Sequence, residues 1–125
     1  MDENALSFEI RRAAFKVYAA LGLGLLESVY ELALAFKLRQ VGLRGDTQVA
    51  QPVAYRGQQL DGGYRLDLLV EHKVIVELKS VEIILSVHHK QLLTYLKLSG
   101  FKLGQLINFN VNSLKYHRHR LVNGL

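Results

Sequence analysis

No cysteine occurs among the 125 residues. Disulfides, thiol catalysis, iron–sulfur clusters and cysteine-based zinc sites are therefore excluded. Tryptophan is absent and proline occurs once, and the ten glycines follow no repeat. Such a composition is neither collagen-like nor that of a disordered chain. No apolar run reaches the roughly 18 residues needed to cross a bilayer. The opening Met1-Asp2-Glu3-Asn4 has neither the basic start nor the long apolar stretch of a signal peptide. The expectation is a soluble, cytoplasmic protein with no membrane partner.

Half of the residues are hydrophobic, enough for a real core at this length. One domain covering residues 1–125 is expected. Formal net charge is +5, and an excess of cations favours polyanionic partners through counterion release from phosphates. Charge alone does not identify nucleic acid as that partner.

Hydrophobic periodicity predicts a first helix from Asn4 or Ser7 to Leu21, with Asn4 as its cap. Gly22 and Gly24 break it. A second helix is expected from Leu25 to Val41, with Leu26, Val29, Ala33 and Phe36 as its apolar stripe, and the two helices form a hairpin. From Thr47 the period becomes that of strands: Thr47 to Tyr55, with Pro52 marking an edge or a bulge, then Gly63 to Val70 and Lys73 to Lys79. Ser86 is placed to cap a third helix ending at Ser99 before Gly100. Leu103 to Phe109 reads as a fourth strand, and Leu114 to Val122 as a short strand or tail. This order fits an α/β fold, a mixed four- to five-stranded sheet flanked by helices.

Two strands carry isolated charges. Asp67 is the lone acid in Leu66-Asp67-Leu68-Leu69-Val70, and Glu77 and Lys79 share one face of Val74-Ile75-Val76-Glu77-Leu78-Lys79. A three-residue loop at Glu71 to Lys73 sets Asp67 directly opposite Glu77. Facing carboxylates repel, and a hard divalent cation, held by one or two carboxylates plus water, relieves the repulsion. The backbone carbonyl of Leu78 is a further candidate ligand. Lys79 is placed to stabilise phosphate charge or assist in deprotonating water. The plain alternative is a solvated polar edge. Gln91 and Tyr95, four apart on the third helix, share a face with His88 and follow the Glu77–Lys79 strand directly. Glu27, Tyr30 and Glu31 fall on one face of the second helix, opposite much of its apolar stripe. Glu27 there is either an acid favoured by the helix dipole or a third carboxylate reaching the metal.

These residues resemble a known family. Gly24, Glu27 and Tyr30 match the signature of the GxxExxY proteins, a group within the PD-(D/E)XK nuclease superfamily. The likeness extends to the closing Ile107-Asn108-Phe109-Asn110 and Val122-Asn123-Gly124-Leu125. Gln91 to Tyr95 is similar to the QxxxY motif of RecB-like members. The resemblance implies a restriction-endonuclease-like core with an N-terminal helical hairpin. It also implies hydrolysis of phosphodiester bonds in DNA by metal-activated water, with Mg²⁺ as cofactor and Mn²⁺ as substitute. Asp67, Glu77 and Glu27 would be metal ligands, Lys79 the catalytic lysine, and Gln91 and Tyr95 would complete the site. Leu66 stands where the superfamily's nominal motif has proline. A shared fold does not fix function, so a non-catalytic module binding nucleic acid or protein is the alternative.

Lys115-Tyr116-His117-Arg118-His119-Arg120 is the densest basic stretch. Lys115 and Arg118 are candidates for phosphate contact and Tyr116 for stacking on a base. The alternative is a solvated edge strand whose charges deter aggregation. Arg65 would pair with Asp67 or touch a phosphate. A homodimer or a protein partner would supply the substrate-selecting surface that so small a domain lacks.

Overall fold

The computed structural model describes residues 1–125. Helices α1 (Glu3–Leu21) and α2 (Glu27–Gln40) precede strands β1 (Gly45–Tyr55), β2 (Gln58–Val70) and β3 (Val74–Lys79). Helix α3 (Ser86–Ser99), strand β4 (Leu103–Asn108), a 3₁₀ turn (Leu114–Tyr116) and strand β5 (Arg118–Val122) complete the chain. The strands form one mixed sheet in the order β1-β2-β3-β4-β5. Only β3 and β4 are parallel. Parallel neighbours need a crossover, and α3 is that crossover.

Side-chain alternation along β3 builds two cores. Val74, Val76 and Leu78 meet α1 and α2, while Ile75 meets Leu92, Tyr95 and Leu96 of α3. The sheet is thus sandwiched between a helical hairpin and a single helix, the α/β architecture that the element order implies. No helix is long and apolar enough to cross a membrane.

Helix ends differ from expectation in detail. Asp2, not Asn4, caps α1, its Oδ1 accepting the Ala5 N–H at 2.8 Å. Leu85, not Ser86, is the cap position of α3, and the His88 Nδ1 accepts the Leu85 N–H at 2.9 Å. Gly100 ends that helix at φ +79°.

The largest correction concerns α2. Its core face is Tyr30, Leu34, Ala35 and Leu38, all buried, whereas Leu26, Val29 and Phe36 of the expected stripe are exposed. The helix is apolar on two opposite faces, so periodicity alone selects neither. Tyr30 decides the matter. Its ring stacks on buried Phe109 at 4.4 Å, and its hydroxyl donates to the Gly22 carbonyl at 2.6 Å and accepts the Leu25 N–H at 3.2 Å. Tyr30 therefore belongs to the core and does not line an acidic face with Glu27 and Glu31.

Strands β1 and β2 run past the body as a two-stranded arm, and residues 54–65 are all exposed. Its turn puts Arg56 and Gly57 at φ +50° and +77°. Pro52 lies at a register shift between Gln51 and Val53 on this edge strand, where a missing N–H costs no ladder bond. β2 begins at Gln58, earlier than the expected Gly63, because an arm solvated on both faces lacks the apolar alternation that marks a half-buried strand.

Candidate active site

Pairing of Leu68 with Val76, Leu69 with Ile75 and Val70 with Val74 sets Asp67 opposite Glu77 at the next step. The ladder stops there and side chains take over. The Asp67 N–H donates to Glu77 Oε1 at 3.2 Å, and the Leu78 N–H donates to Asp67 Oδ2 at 2.9 Å. On the other flank Gln48, opposite Asp67 in the β1–β2 register, adopts φ +52° and drops out of the pairing. Asp67 thus sits where β2 has released both neighbours, and its carboxylate takes up a backbone N–H of β3.

Glu77 is buried and has no cationic partner. Burial and then the charge of Asp67 push its carboxyl up to about 9. Neither acid forms an ion pair with lysine, arginine or histidine. Ionising Glu77 beside Asp67 would require a compensating positive charge, which a divalent cation would supply.

A cavity of about 110 Å³ opens above Asp67 on the α2 side, lined also by Glu27, Ser28, Glu31, Gln48 and Leu78. Glu27 reaches it from the first turn of α2. Glu31, one turn on, is raised by burial and secondarily by Asp67, while a 2.6 Å bond from the Gln48 side chain counters the rise. On the α3 side a larger cleft of about 520 Å³ holds Lys79, Gln91, His88, Lys90 and Tyr64. There the Gln91 Nε2 donates to the Tyr95 hydroxyl at 2.8 Å. Burial, with Glu77 and Asp67 nearby, pushes that hydroxyl up to about 12.

The structure therefore brings Asp67 to Glu77, Glu27 to Asp67, Lys79 to Gln91, and Gln91 to Tyr95. Asp67 opens toward α2, Lys79 toward α3, and buried Glu77 lies between. No three of the histidine, aspartate and glutamate side chains converge closely enough to enclose a metal by themselves. A magnesium ion does not require such a cage, because it keeps several waters and takes one or two carboxylates. Asp67 and Glu77 with Glu27 nearby fit that donor set, and Leu78 lines the cavity that Asp67 and Glu27 share.

The candidates for nucleic-acid contact divide. Arg65 is exposed, but its guanidinium donates to the Gln48 carbonyl at 3.3 Å and forms no pair with Asp67. Lys115 and Tyr116 are exposed, with the ammonium over the ring. Arg118 instead turns inward and donates to Oε1 of fully buried Gln105 at 2.9 Å. Alternation along β5 sends Arg118 to the α1 side, while His119 meets His89 of α3.

Glu31 was legible as sharing the face of Glu27, whereas three other neighbours of the site escape sequence reasoning. Gln48 carried no signal. Ser80 follows Lys79 and donates to the Leu25 carbonyl at 2.6 Å, fastening the Gly22–Leu26 loop to the end of β3. Asn108, buried, bonds both backbone groups of Val81 at 2.8 and 3.1 Å and so fixes the exit of the Lys79 strand.

Comparison with known proteins bears on the family and the fold. A family model described as the PD-(D/E)XK nuclease superfamily matches residues 4–121. The crystal structure of SSO0001 is similar in fold, with a TM-score of 0.57 at 17% identity over 78% of this chain. The chain spans 50% of the length of that structure. No curated protein matches.

Proposed function

This chain belongs to the PD-(D/E)XK nuclease superfamily, and on that premise we propose that it is a metal-dependent nuclease of the GxxExxY group, hydrolysing phosphodiester bonds in DNA. The observation that carries the proposal is the unpaired contact between Asp67 and Glu77. A structural acid pair would be expected to hold a lysine or arginine; this one leaves room for a cation from solution.

Asp67 and Glu77 would hold Mg²⁺, or Mn²⁺ in its place, with Glu27 reaching the ion through water and the Leu78 carbonyl as a further ligand. When bound, the ion would polarise a phosphate oxygen and lower the pKa of attacking water. The remaining work falls to the chain. Lys79, which lines the α3-side cleft, places a positive charge where a phosphate would lie and stabilises the charge that develops during attack. Gln91, held by Tyr95, presents a polar side chain to the same cleft and orients phosphate or water. Lys90 and His88 at the start of α3 add donors along the cleft wall. Tyr64, edge-on to Tyr95 at 5.2 Å, closes the cleft at the root of the β1–β2 arm. Lys115 and Tyr116 would contact nucleic acid further out.

One observation favours a second reading, a nucleic-acid-binding module without turnover: Asp67 and Lys79 open on different sides of the sheet. A single experiment separates the two. Purified protein and Glu77→Ala are incubated with plasmid and with single-stranded DNA, in Mg²⁺, in Mn²⁺ and in EDTA. Cleavage by the wild type alone, abolished by EDTA, supports the nuclease. Binding without cleavage, unchanged in Glu77→Ala, supports the module. Equal cleavage by both proteins exposes a contaminant.

A further inference from the structure

Helix α2 turns one face to the core and leaves another, equally apolar, in solvent. On that outer face Leu32 and Phe36 are 67% and 64% exposed, and Val29 is 38% exposed. Leu25 and Leu26 at the start of the helix, 37% and 73% exposed, and Leu21 at the end of α1, 40% exposed, extend the patch. A groove of about 270 Å³ between α1 and α2 runs beside it, floored by Val17, Ala20 and Ala33. These side chains expose on the order of 600 Å² of apolar surface, the upper end of what a monomer ordinarily carries.

We propose that this face is a two-fold interface, and that the occupant of each α2 outer face is the α2 of a second copy of the chain, packed antiparallel. The spacing carries the argument. Val29, Leu32, Ala33 and Phe36 are separated by three, one and three residues, a pattern unchanged when the helix is reversed. An antiparallel copy turned about an axis between positions 32 and 33 sets Val29 against Phe36 and Leu32 against Ala33, a small side chain against a larger one in each pairing. Self-complementarity of this kind is what an isologous interface requires. The two helix dipoles then oppose each other, which is the favourable arrangement. Area allows it: two copies would cover at most about 1,200 Å² from these side chains, the lower end of stable protein–protein interfaces. Lys16, Lys37 and Gln40 edge the groove and no acidic side chain does, so its charge does not mark it for a basic partner.

The inference does not depend on nuclease activity, although it bears on it. Glu27 enters the acidic cavity from the same helix, so pairing through α2 would hold two candidate sites at a fixed separation.

Sedimentation of the full chain over a hundredfold concentration range tests the proposal, read beside Leu32→Glu with Phe36→Glu. The wild type is expected at twice its 14.2 kDa, and the double variant at the single mass with an unchanged circular dichroism spectrum, since both positions are exposed. A strictly monomeric wild type overturns the proposal, as does a double variant that remains dimeric. Geometry is tested separately. The chain has no cysteine, so Ala33→Cys alone should crosslink across the two-fold axis under mild oxidation, while Tyr116→Cys should not. A dimer that crosslinks through the Tyr116→Cys substitution and not through Ala33→Cys overturns the antiparallel α2 arrangement.

Discussion

Asp67 and Glu77 are joined by the backbone of each other's strand: Glu77 accepts from the Asp67 N–H, and Asp67 accepts from the N–H of Leu78, the residue after Glu77. This exchange holds two carboxyl groups together without a cation. Lys79 on β3 favours ionisation of Glu77, but burial and Asp67 outweigh it. From α3 the nearby titratable group is Tyr95, itself raised.

Stability of the metal-free protein should therefore fall with rising pH. Glu77 keeps its proton in the fold up to about 9, whereas in the unfolded chain it ionises near its ordinary value. Between those limits the folded state binds the extra proton, so raising the pH favours unfolding, and the loss levels off above the folded value. A decline of a few kcal/mol between pH 5 and pH 9 is expected for so large a shift. Urea unfolding in EDTA across that range should show it, and Glu77→Gln, which cannot ionise, should flatten the slope. Equal pH dependence in the two proteins would mean that Glu77 is already charged in the fold.

The same proton gives metal binding a signature independent of catalysis. A divalent ion requires an ionised ligand, so near pH 7 its binding should expel about one proton, with apparent affinity rising roughly tenfold per pH unit toward the folded value. Titration calorimetry with Mn²⁺ in two buffers of different ionisation enthalpy measures the release directly. Glu77→Ala should lose it. Binding with no proton release would remove Glu77 from the ligand set.

Tyr30 offers a test of how the loop before α2 is held. Its hydroxyl ties Gly22 and Leu25, while its ring stacks on Phe109. Tyr30→Phe keeps the ring and frees two backbone groups, which should cost about 1–2 kcal/mol. Tyr30→Ala also empties a core position and should cost about 3–5 kcal/mol. Denaturant melts rank the variants. If Glu27 depends on this loop for its position, Tyr30→Phe also weakens Mn²⁺ binding, although the residue lies in the core.

How far these features were legible in the sequence depended on the source of the signal. The β3 pattern was plain, because alternation in Val74 to Lys79 assigns each side chain a face whatever surrounds it. The short Glu71–Lys73 loop fixed the register that brings Asp67 toward Glu77. The core face of helix α2 was not legible because Leu26, Val29, Ala33 and Phe36 mimic a core stripe as well as Leu34 and Leu38 do, and only the fit of Tyr30 against Phe109 separates them. Gln48 and Asn108 were invisible: their roles come from partners 17 and 27 residues away, which no local pattern encodes. The inward bond of Arg118 was not legible, because basic residues in an edge strand look alike until a buried acceptor selects one.

Packing between α3 and the sheet gives a further prediction. A Cβ on Gly104 would stand 2.8 Å from Leu92 Cδ1 and 3.1 Å from its Cγ. Leu92 is fully buried, so it has little room to yield, and Gly104→Ala should destabilise by about 1–3 kcal/mol through overpacking. Leu92→Val in the same background should recover part of the loss. Thermal melts of the single and double variants decide it, and additive losses would show that Leu92 is not the obstacle.

Arg118 and Tyr116 stand two residues apart and should fail in different assays. The Arg118 guanidinium is half-buried, and burial first, then Arg11 and Arg120, lower its pKa. It stays charged because its ordinary value is so high. Its partner Gln105 is wholly buried and also donates to Ser7 at 2.7 and 3.1 Å, so the chain from β5 through β4 to α1 is one network. Arg118→Ala would leave Gln105 Oε1 without its donor inside the protein, a loss of about 1–3 kcal/mol. Nucleic-acid affinity per folded molecule should change little. Tyr116→Ala reverses the expectation: the ring is exposed, so melting should not move, whereas loss of a stacking platform should weaken single-strand binding by about 1–3 kcal/mol. Paired melts and fluorescence anisotropy on a short labelled oligonucleotide in EDTA distinguish the two residues. If Arg118→Ala weakens binding without loss of stability, the inward bond to Gln105 is not its main role, and the basic strand acts on nucleic acid as a unit.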